Sequence, residues 1–268
     1  MRILVTNDDG IEAPGLLAAA RALVDAGHDV VVGAPTRDFS GSGSGLGPID
    51  DGSVVGWREH RLPGVDCAAY AIDAPPSFAV LAFCSRLFGP SPDLVVAGIN
   101  DGYNTGRLVL ASSTVGAALT AATVGVGSIA VSTAEAPHHR YDTAAAVLVA
   151  VVRQVVQQGR RGACLNVNVP ALDVADLAGV EVGGLARRGL MGLGLERGDD
   201  VITLRRYAND RGIDGGTDAA LVGAGYVAVT ALTGVTQADH GRAGNAGLAA
   251  VVDAARAQLR AHAGATPV

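Results

Sequence analysis

Two short runs with apolar residues on both faces constrain the fold of this chain most strongly. Residues 94–97 read Leu-Val-Val-Ala, and residues 128–132 read Ser-Ile-Ala-Val-Ser. Strands of this kind have helices packed on both sides, which is typical of a parallel sheet. Longer segments with apolar residues at helical spacing lie between such runs. We therefore predict an α/β fold with a Rossmann-like, doubly wound, mostly parallel sheet.

The same alternation predicts the individual elements. It begins with a strand at residues 3–6 and a helix at residues 14–26, in which Pro14 suits the first turn and Gly27 the end. Further strands are predicted at residues 30–33, 54–57, 69–72, 94–97, 129–132 and 165–169. Further helices are predicted at residues 76–88, 114–124 and 141–158.

Beyond Pro170 the alternation loosens. A Gly- and Arg-rich stretch at residues 187–198 precedes predicted strands at 201–207 and 226–232 and a final helix at 243–263. That helix carries apolar residues at helical spacing, namely Leu248, Val251, Val252, Ala255 and Leu259. Such a face needs an apolar partner. We predict a Rossmann-like core at 1–205 and a C-terminal segment at 206–268 that completes the fold and forms the interface of a homo-oligomer.

Composition excludes several classes of partner. The formal net charge of −6 opposes a general affinity for polyanions, and only 4% of the residues are aromatic, so we predict no nucleic-acid polymer as partner. No uninterrupted apolar stretch reaches about 18 residues, so we predict no membrane partner. The N-terminal residues contain acids by Asp8 and have no signal-type apolar core, and the three cysteines lack CxxC spacing. We expect a cytoplasmic protein.

Four polar clusters fall at the carboxyl ends of the predicted strands, where open parallel sheets bind their ligands. They cover residues 7–10, 37–41, 98–106 and 112–116. Each cluster alone also fits an ordinary role, as a solvated turn, a Gly/Ser loop, an Asn-Gly turn or a helix N-cap. Four of them at successive strand ends are much less probable by accident, so we predict that together they form a site.

The residue types in these clusters indicate a divalent cation and a phosphate. Adjacent carboxylates at Asp8 and Asp9 repel each other unless a cation lies between them, and oxygen ligation favours Mg²⁺ or Mn²⁺. Ser40 offers a hydroxyl ligand, and Asn100 lies in a run that supplies neutral carbonyl oxygens. First-turn amides and hydroxyls at residues 112–116 suit a phosphate. The predicted substrate- and phosphate-binding residues are Asn7, Gly41, Asn104, Ser112, Ser113 and Thr114.

Other phosphate and cofactor chemistries lack their motifs in this chain. There is no Asp-x-Asp for an aspartyl-phosphate enzyme, no Gly-x-Gly-x-x-Gly after the first strand and no P-loop. The six histidines are scattered, and the His138-His139 pair fits a surface loop better than a catalytic base. A water activated by the metal ion is therefore the expected nucleophile.

The clusters also resemble a known family. The chain contains, in the family's order, ILVTNDDGIEAPG, APTRDFSG, PDLVVAGINDGYNTG, SSTVGAA, LNVNVP and GTDAALVGAGYVAVTAL. These strings resemble the SurE family of metal-dependent survival-protein nucleotidases. The resemblance implies a Rossmann-like fold, a dimer or tetramer built partly by C-terminal segments, and hydrolysis of nucleoside 5′- or 3′-monophosphates with one divalent metal ion per subunit.

The resemblance also implies roles for individual residues. The family's metal ligands fall on Asp8, Asp9, Ser40 and Asn100. Positions lining its phosphate pocket fall on Asn104 and Ser112, and its motif threonine falls on Thr114. We expect the catalytic residues to be Asp8, Asp9, Asn104 and Ser112.

Three motifs depart from the family pattern. Ala-Ser-Ser-Thr at residues 111–114 replaces Tyr-Ser-Gly-Thr, residues 73–78 replace Gly-Thr-Pro-x-Asp-Cys, and Thr-Ala-Leu at residues 230–232 replaces Thr-Pro-Leu. Two alternatives to an ordinary nucleotidase therefore stay open. One is a phosphatase for a specialised nucleoside or sugar phosphate, and the other is a non-catalytic sensor that binds a metal and a nucleotide.

Overall fold

The computed structural model describes residues 1–159, 162–209, 213–235 and 255. Residues Met1–Gly234 form one compact unit, and the description below concerns this unit. Apart from residue 255, the predicted final helix at 243–263 lies outside the described residues. The predicted boundary at residue 205 stays a prediction.

The unit contains eleven strands and five α-helices among its described residues. The strands are β1 (Arg2–Thr6), β2 (Asp29–Pro35), β3 (Trp57–His60), β4 (Ala68–Ile72), β5 (Leu94–Asp101), β6 (Gly127–Thr133), β7 (Cys164–Asn168), β8 (Gly179–Val182), β9 (Met191–Arg197), β10 (Ile202–Ala208) and β11 (Tyr226–Leu232). The helices are α1 (Pro14–Asp25), α2 (Pro76–Cys84), α3 (Ser113–Thr123), α4 (Tyr141–Gln157) and α5 (Asp218–Gly223).

Nine of these strands form one sheet in the order β3-β4-β2-β1-β5-β6-β7-β11-β8. The six neighbouring strands from β4 to β7 are parallel, whereas β3 and β11 run antiparallel to β4 and β7. The other two strands, β9 and β10, form an antiparallel hairpin. The predicted doubly wound, mostly parallel α/β fold is confirmed.

Helices cover both faces of the sheet, as the doubly apolar strands require. Ile3 and Val5 of β1 pack in one core cluster with apolar residues of α1 and α4. Leu4, between them, packs in another cluster with apolar residues of α2 and α3. Alternate side chains of a strand point to opposite faces. Gly15 lets α1 approach β5 closely, because a Cβ atom there would lie 2.0 Å from the carbonyl oxygen of Ile99.

Some elements of this unit differ from their predicted positions. The strand predicted at 54–57 lies at Trp57–His60, where the exposed Trp57 and three polar residues form the sheet edge. The helix predicted at 76–88 ends at Cys84, because Arg86 takes a left-handed conformation with φ 66° and the amide of Leu87 donates to the carbonyl of Ala82. The sequence also missed β8, β9 and α5. These short elements lack the periodicity that identifies the longer ones.

The described residues also include the three cysteines of the chain. All three cysteines are free; Cys164 is buried, and Cys67 and Cys84 are half-buried. Within the described part of the chain, no helix combines the length and apolar character needed to cross a membrane.

Candidate active site

The candidate site lies where the strand order of the sheet reverses. The chain leaves β1 and forms β2 on one side of it, whereas the later strand β5 pairs with its other side. Loops that leave the carboxyl ends of β1 and β5 therefore diverge and open a crevice. Asp8 follows β1 directly, and Asn100 lies near the end of β5, next to a register shift between Ala97 and Asn100.

Asp8, Asp9, Asn100 and Thr114 form what we call the acidic floor of this crevice. The buried hydroxyl of Thr114 hydrogen-bonds to the carboxylate of Asp8 and lies 3.1 Å from Oδ1 of Asn100. The side-chain amide of Asn100 donates to the carbonyl of Gly102 at 2.7 Å, and this bond orients Oδ1 of Asn100. One hydroxyl proton serves one acceptor at a time, so more acceptor oxygens than protons converge here.

The two carboxyl groups of the floor have raised pKa values. Burial raises the pKa of Asp8, which is 3% exposed. Burial raises the pKa of Asp9 to about 7, and the neighbouring carboxylates of Asp8, Asp38 and Asp101 contribute to this shift. A cation would offset this excess of negative charge, so the residues present fit a hard divalent ion.

The floor differs from metal sites made of charged or imidazole ligands alone. Among the described residues, no group of three or more His, Cys, Asp or Glu side chains is placed to hold a metal ion. A metal at the floor would therefore need neutral oxygens, such as those that Ser40 and Asn100 supply in the predicted set.

The loop that carries Ser40 folds back onto the acidic floor. The amide of Phe39 donates to the carbonyl of Asp8 at 2.8 Å, and the amide of Ser40 donates to Asp38 at 2.6 Å. Ser40 and Gly41 are exposed at the mouth of the crevice. The predicted ligand Ser40 thus lies on a loop anchored to the backbone of Asp8.

Ser113 anchors the same loop to α3. Its hydroxyl donates to the carbonyl of Phe39 at 2.7 Å and accepts from the amide of Ser42 at 2.9 Å. Gly116 allows this packing, because a Cβ atom there would lie 2.3 Å from the carbonyl oxygen of Gly43. The side chain of Ser113 therefore binds the loop, whereas the side chain of Thr114 binds the acidic floor.

Ser112 is the N-cap of α3. Its oxygen accepts a hydrogen bond from the amide of Val115 at 3.2 Å, which leaves the hydroxyl proton available to another acceptor. Ser112 is half-buried beside the amides that open the helix. This arrangement suits an anion.

Asn104 is held by two asparagines that the sequence reading did not assign. The backbone carbonyl of Asn104 accepts from the side-chain amides of Asn166 and Asn168 at 2.8 and 2.9 Å. The backbone amide of Asn104 donates to Oδ1 of Asn168 at 2.8 Å, and its side chain donates to Ser132 at 2.9 Å. The available signal was the pair of asparagines two residues apart in an otherwise apolar, buried strand.

Asn7 also lies at this end of the sheet. It is fully buried, and its side-chain amide donates to the carbonyl of Gly10 at 3.0 Å. Its Oδ1 has no hydrogen-bond partner among the described residues. Of the predicted site residues, Asn7 is the one whose buried acceptor stays without a partner.

The structure adds three further residues next to the floor. Nδ1 of His139 lies 3.8 Å from Oδ1 of Asp101, and the ring of His139 stacks on Tyr141 with centroids 4.4 Å apart. Burial raises the pKa of Tyr141 to about 12, and the carboxylates of Asp101 and Asp9 add to the shift. His139 is indeed in a loop, but the loop packs against the acidic side of the crevice.

Comparison with known proteins places these residues in a family context. Residues 3–191 match the family model described as survival protein SurE. The chain is 35% identical over 237 residues to proteins named 5′-nucleotidase SurE from Xanthomonas axonopodis pv. citri and Xanthomonas oryzae pv. oryzae, covering 86% of this chain and 88% of each relative. The crystal structure of the SurE protein from Aquifex aeolicus superposes with a TM-score of 0.73 at 30% identity, covering 87% of this chain and 93% of that chain.

Proposed function

The chain belongs to the SurE family, and from that premise we propose that it is a divalent-metal-dependent phosphomonoesterase of the cytoplasm that hydrolyses nucleoside 5′- or 3′-monophosphates. The observation that carries this proposal is the acidic floor. Asp8, Asn100 and Thr114 bring more acceptor oxygens than protons to the topological switch point of the sheet. The name of the Xanthomonas relatives, 5′-nucleotidase, supports the same reaction class.

We assign one divalent ion, Mg²⁺ or Mn²⁺, to Asp8, Asp9, Ser40 and Asn100. When bound, such an ion stabilises negative charge on phosphoryl oxygens and makes a water molecule more acidic. Asp8 is fixed by Thr114, and the Ser40 loop is fixed by Phe39 and Ser113, so these two parts of the predicted metal site are held in place before an ion binds. Such preorganisation lowers the cost of binding.

The phosphate group is assigned to the wall formed by Ser112 and Asn104. Ser112 supplies a hydroxyl proton beside the first amides of α3, and the partial positive charge of a helix N-terminus favours an anion there. The hydrogen bonds from Asn166 and Asn168 fix the backbone of Asn104. The wall holds the phosphate in place, and the acidic floor supplies the metal ligands.

Phosphate release from a substrate panel tests this proposal. The panel contains AMP, GMP, UMP, 3′-AMP and sugar phosphates, each with Mg²⁺, with Mn²⁺ and with EDTA. We expect release from nucleoside monophosphates with either metal and none with EDTA. Binding of nucleotide and metal without release of phosphate from any panel member would instead identify a sensor.

A specialised phosphate ester is the second candidate substrate. The departing segment 73–78 starts α2, and its Phe78 lines an apolar cavity of about 330 Å³ together with Trp57 and Phe88. Ser113, the second departure, is fully buried against the Ser40 loop. A panel profile with poor turnover of all common nucleotides and good turnover of a modified or apolar phosphate ester would favour this candidate.

We also propose a homodimer or homotetramer, and the β9–β10 hairpin supports it. One side of this two-stranded ribbon exposes four large apolar residues, namely Leu193, Leu195, Ile202 and Leu204, which are 45%, 71%, 72% and 54% exposed. An isolated hairpin is marginally stable in water, so a partner surface would stabilise it. Light scattering of the wild type and of a Leu195→Glu/Leu204→Glu variant tests this: we expect a multiple of 26.8 kDa for the wild type and a smaller particle for the variant.

A further inference from the structure

A second charged cavity includes Arg107, in the segment that leads to Ser112. It has a volume of about 420 Å³ and is lined by Arg107, Arg187, Arg188 and Asp214. The three arginines are exposed, and together with one carboxylate they leave a net charge of two positive units in a chain whose overall charge is −6. We call this the arginine cavity. Its charge runs against that of the whole molecule, so it favours a localised anion.

The arginine cavity adjoins the phosphate wall through the chain itself. Arg107 follows Asn104 by three residues and begins the 3-10 helix Arg107–Ala111, which leads directly to Ser112. Three residues of chain span at most about 11 Å, which limits the distance between the Cα atoms of Asn104 and Arg107. One small molecule can therefore reach both the wall and the cavity.

A buried carboxylate holds the two loops that carry the arginines. Asp218 is fully buried and accepts hydrogen bonds from the amides of Gly106, Ala186 and Ala219 at 2.8, 2.9 and 2.8 Å. The first two amides directly precede Arg107 and Arg187 in the chain. The amide of Arg107 also donates to the carbonyl of Ala186 at 3.1 Å. Asp218 is therefore a positioning residue for the arginine cavity.

A second contact joins the same loops. The amide of Leu190 donates to the hydroxyl of Thr105 at 2.9 Å, and Thr105 itself is buried. The segments around residues 105–107 and 186–190 are thus tied together on both sides of the arginines. The cavity is a built feature of the fold, since its arginines come from two loops that specific hydrogen bonds join.

We propose that the arginine cavity binds a second phosphate of the substrate, so that the enzyme acts on nucleotides that carry two phosphates. The planar guanidinium group matches the oxygens of a phosphate and binds it through paired hydrogen bonds. A single phosphate held at Ser112 and Asn104 leaves the three arginines of the cavity without an anionic partner. This inference rests on the proposed phosphomonoesterase function, because it assigns the scissile phosphate to the acidic floor.

Two arrangements of the second phosphate share this chemistry, and the assay separates them. Adenosine 3′,5′-bisphosphate carries two phosphate monoesters on different ribose carbons, and water would break one P–O–C ester link to release phosphate. ADP carries the two phosphates in one chain, and water would break its P–O–P anhydride link to give AMP and phosphate. We measure kcat/KM for both with Mn²⁺, relative to AMP and 3′-AMP, in the wild type and in Arg188→Ala and Arg187→Ala. We expect at least one of the two to be preferred over AMP by the wild type. We expect each variant to reduce that preference about tenfold, through the loss of a charge-assisted contact.

Three further variants sharpen the test. Arg188→Lys should recover part of the preference, since it restores the charge without the planar fork. Asp214→Asn should raise the preference, since it removes the opposing carboxylate from the cavity. Arg58→Ala, an exposed arginine on the edge strand β3, is the matched control and should leave the preference unchanged.

The outcomes separate this inference from the function on which it rests. If AMP is hydrolysed but the doubly phosphorylated substrates show no preference, or the arginine variants keep the wild-type preference, the inference fails and the proposed function stands. If no substrate releases phosphate, the proposed function fails. Calorimetric binding of adenosine 3′,5′-bisphosphate and ADP, compared with AMP, then still decides: equal affinities in the wild type and Arg188→Ala contradict the arginine cavity as a phosphate site.

Discussion

The acidic floor and the arginine cavity are built in opposite ways. The floor places carboxylates directly after a central strand, where burial raises their pKa values. The cavity places exposed arginines on loops, and the hydrogen bond from Gly106 to Asp218 joins residues 112 positions apart. Asp8 of the predicted metal site is buried and fixed by Thr114, whereas the arginines are exposed and depend on a distant anchor.

The largest expected effect concerns the floor. Asp8→Asn and Asp9→Asn each remove one negative charge from the predicted metal site, and we expect at least about a hundredfold loss of kcat/KM for AMP at limiting Mn²⁺. Asp25→Asn, an exposed aspartate at the end of α1, is the control. Near-normal turnover in both floor variants would remove the metal assignment.

The next effect concerns the anchor of the arginine cavity. Asp218→Asn replaces a buried carboxylate that accepts three amide hydrogen bonds, and we expect the free energy of unfolding to fall by about 2 kcal/mol. Urea denaturation measures this change. Asp214→Asn makes the same substitution at an exposed site of the preceding loop and should change stability by less than about 0.5 kcal/mol. Equal stabilities of the two variants would show that Asp218 does not anchor the loops.

A third prediction tests whether the phosphate wall depends on the hydrogen bonds between Asn168 and the backbone of Asn104. Asn168→Ala removes two hydrogen bonds to the backbone of Asn104 without touching the floor, and we expect about a tenfold loss of kcat/KM, the loss of roughly one positioning contact. Metal affinity, measured by Mn²⁺ titration, should change little. Loss of metal binding in this variant would mean that the wall and the floor are not separate units.

The smallest effect is on stability without metal. Burial raises the pKa of Asp9 to about 7, well above the ordinary value of about 4 for an aspartate, so the folded state loses stability as the pH rises from about 4 to about 7. In EDTA, wild-type stability should therefore rise as the pH falls from 8 toward 5, and Asp9→Asn should be more stable by roughly 1 kcal/mol at pH 8. Thermal melts at both pH values measure it. An advantage of the variant that grows at low pH would contradict the sign of this shift.

The contrast between floor and cavity also explains what the sequence could predict. Strand ends are visible in hydrophobic patterns, so the fold class, the position of residues 7–10 and the position of Asn100 relative to the sheet could be predicted. The roles of Ser113 and Thr114 could not, because a hydroxyl at a helix start can face a phosphate, a loop or a carboxylate. Only the packing shows that Thr114 meets Asp8 and Ser113 meets Phe39.

The arginine cavity could not be predicted for a different reason. Its residues come from a stretch read only as Gly- and Arg-rich and from a 3-10 helix without apolar periodicity. The GTDAAL string resembles a motif of the family, but the sequence alone does not show that Asp218 binds the amides of two distant loops. Such contacts depend on tertiary structure, and local patterns do not encode them.

Calorimetric titration of the metal-free protein with Mn²⁺ at pH 8 shows whether the acidic floor binds a divalent ion, and it needs no assumption about the substrate. We predict one site per subunit in the wild type and in Asp25→Asn, and no measurable site in Asp8→Asn. Absence of binding in the wild type, or binding that Asp8→Asn leaves unchanged, would show that the acidic floor is not the metal site.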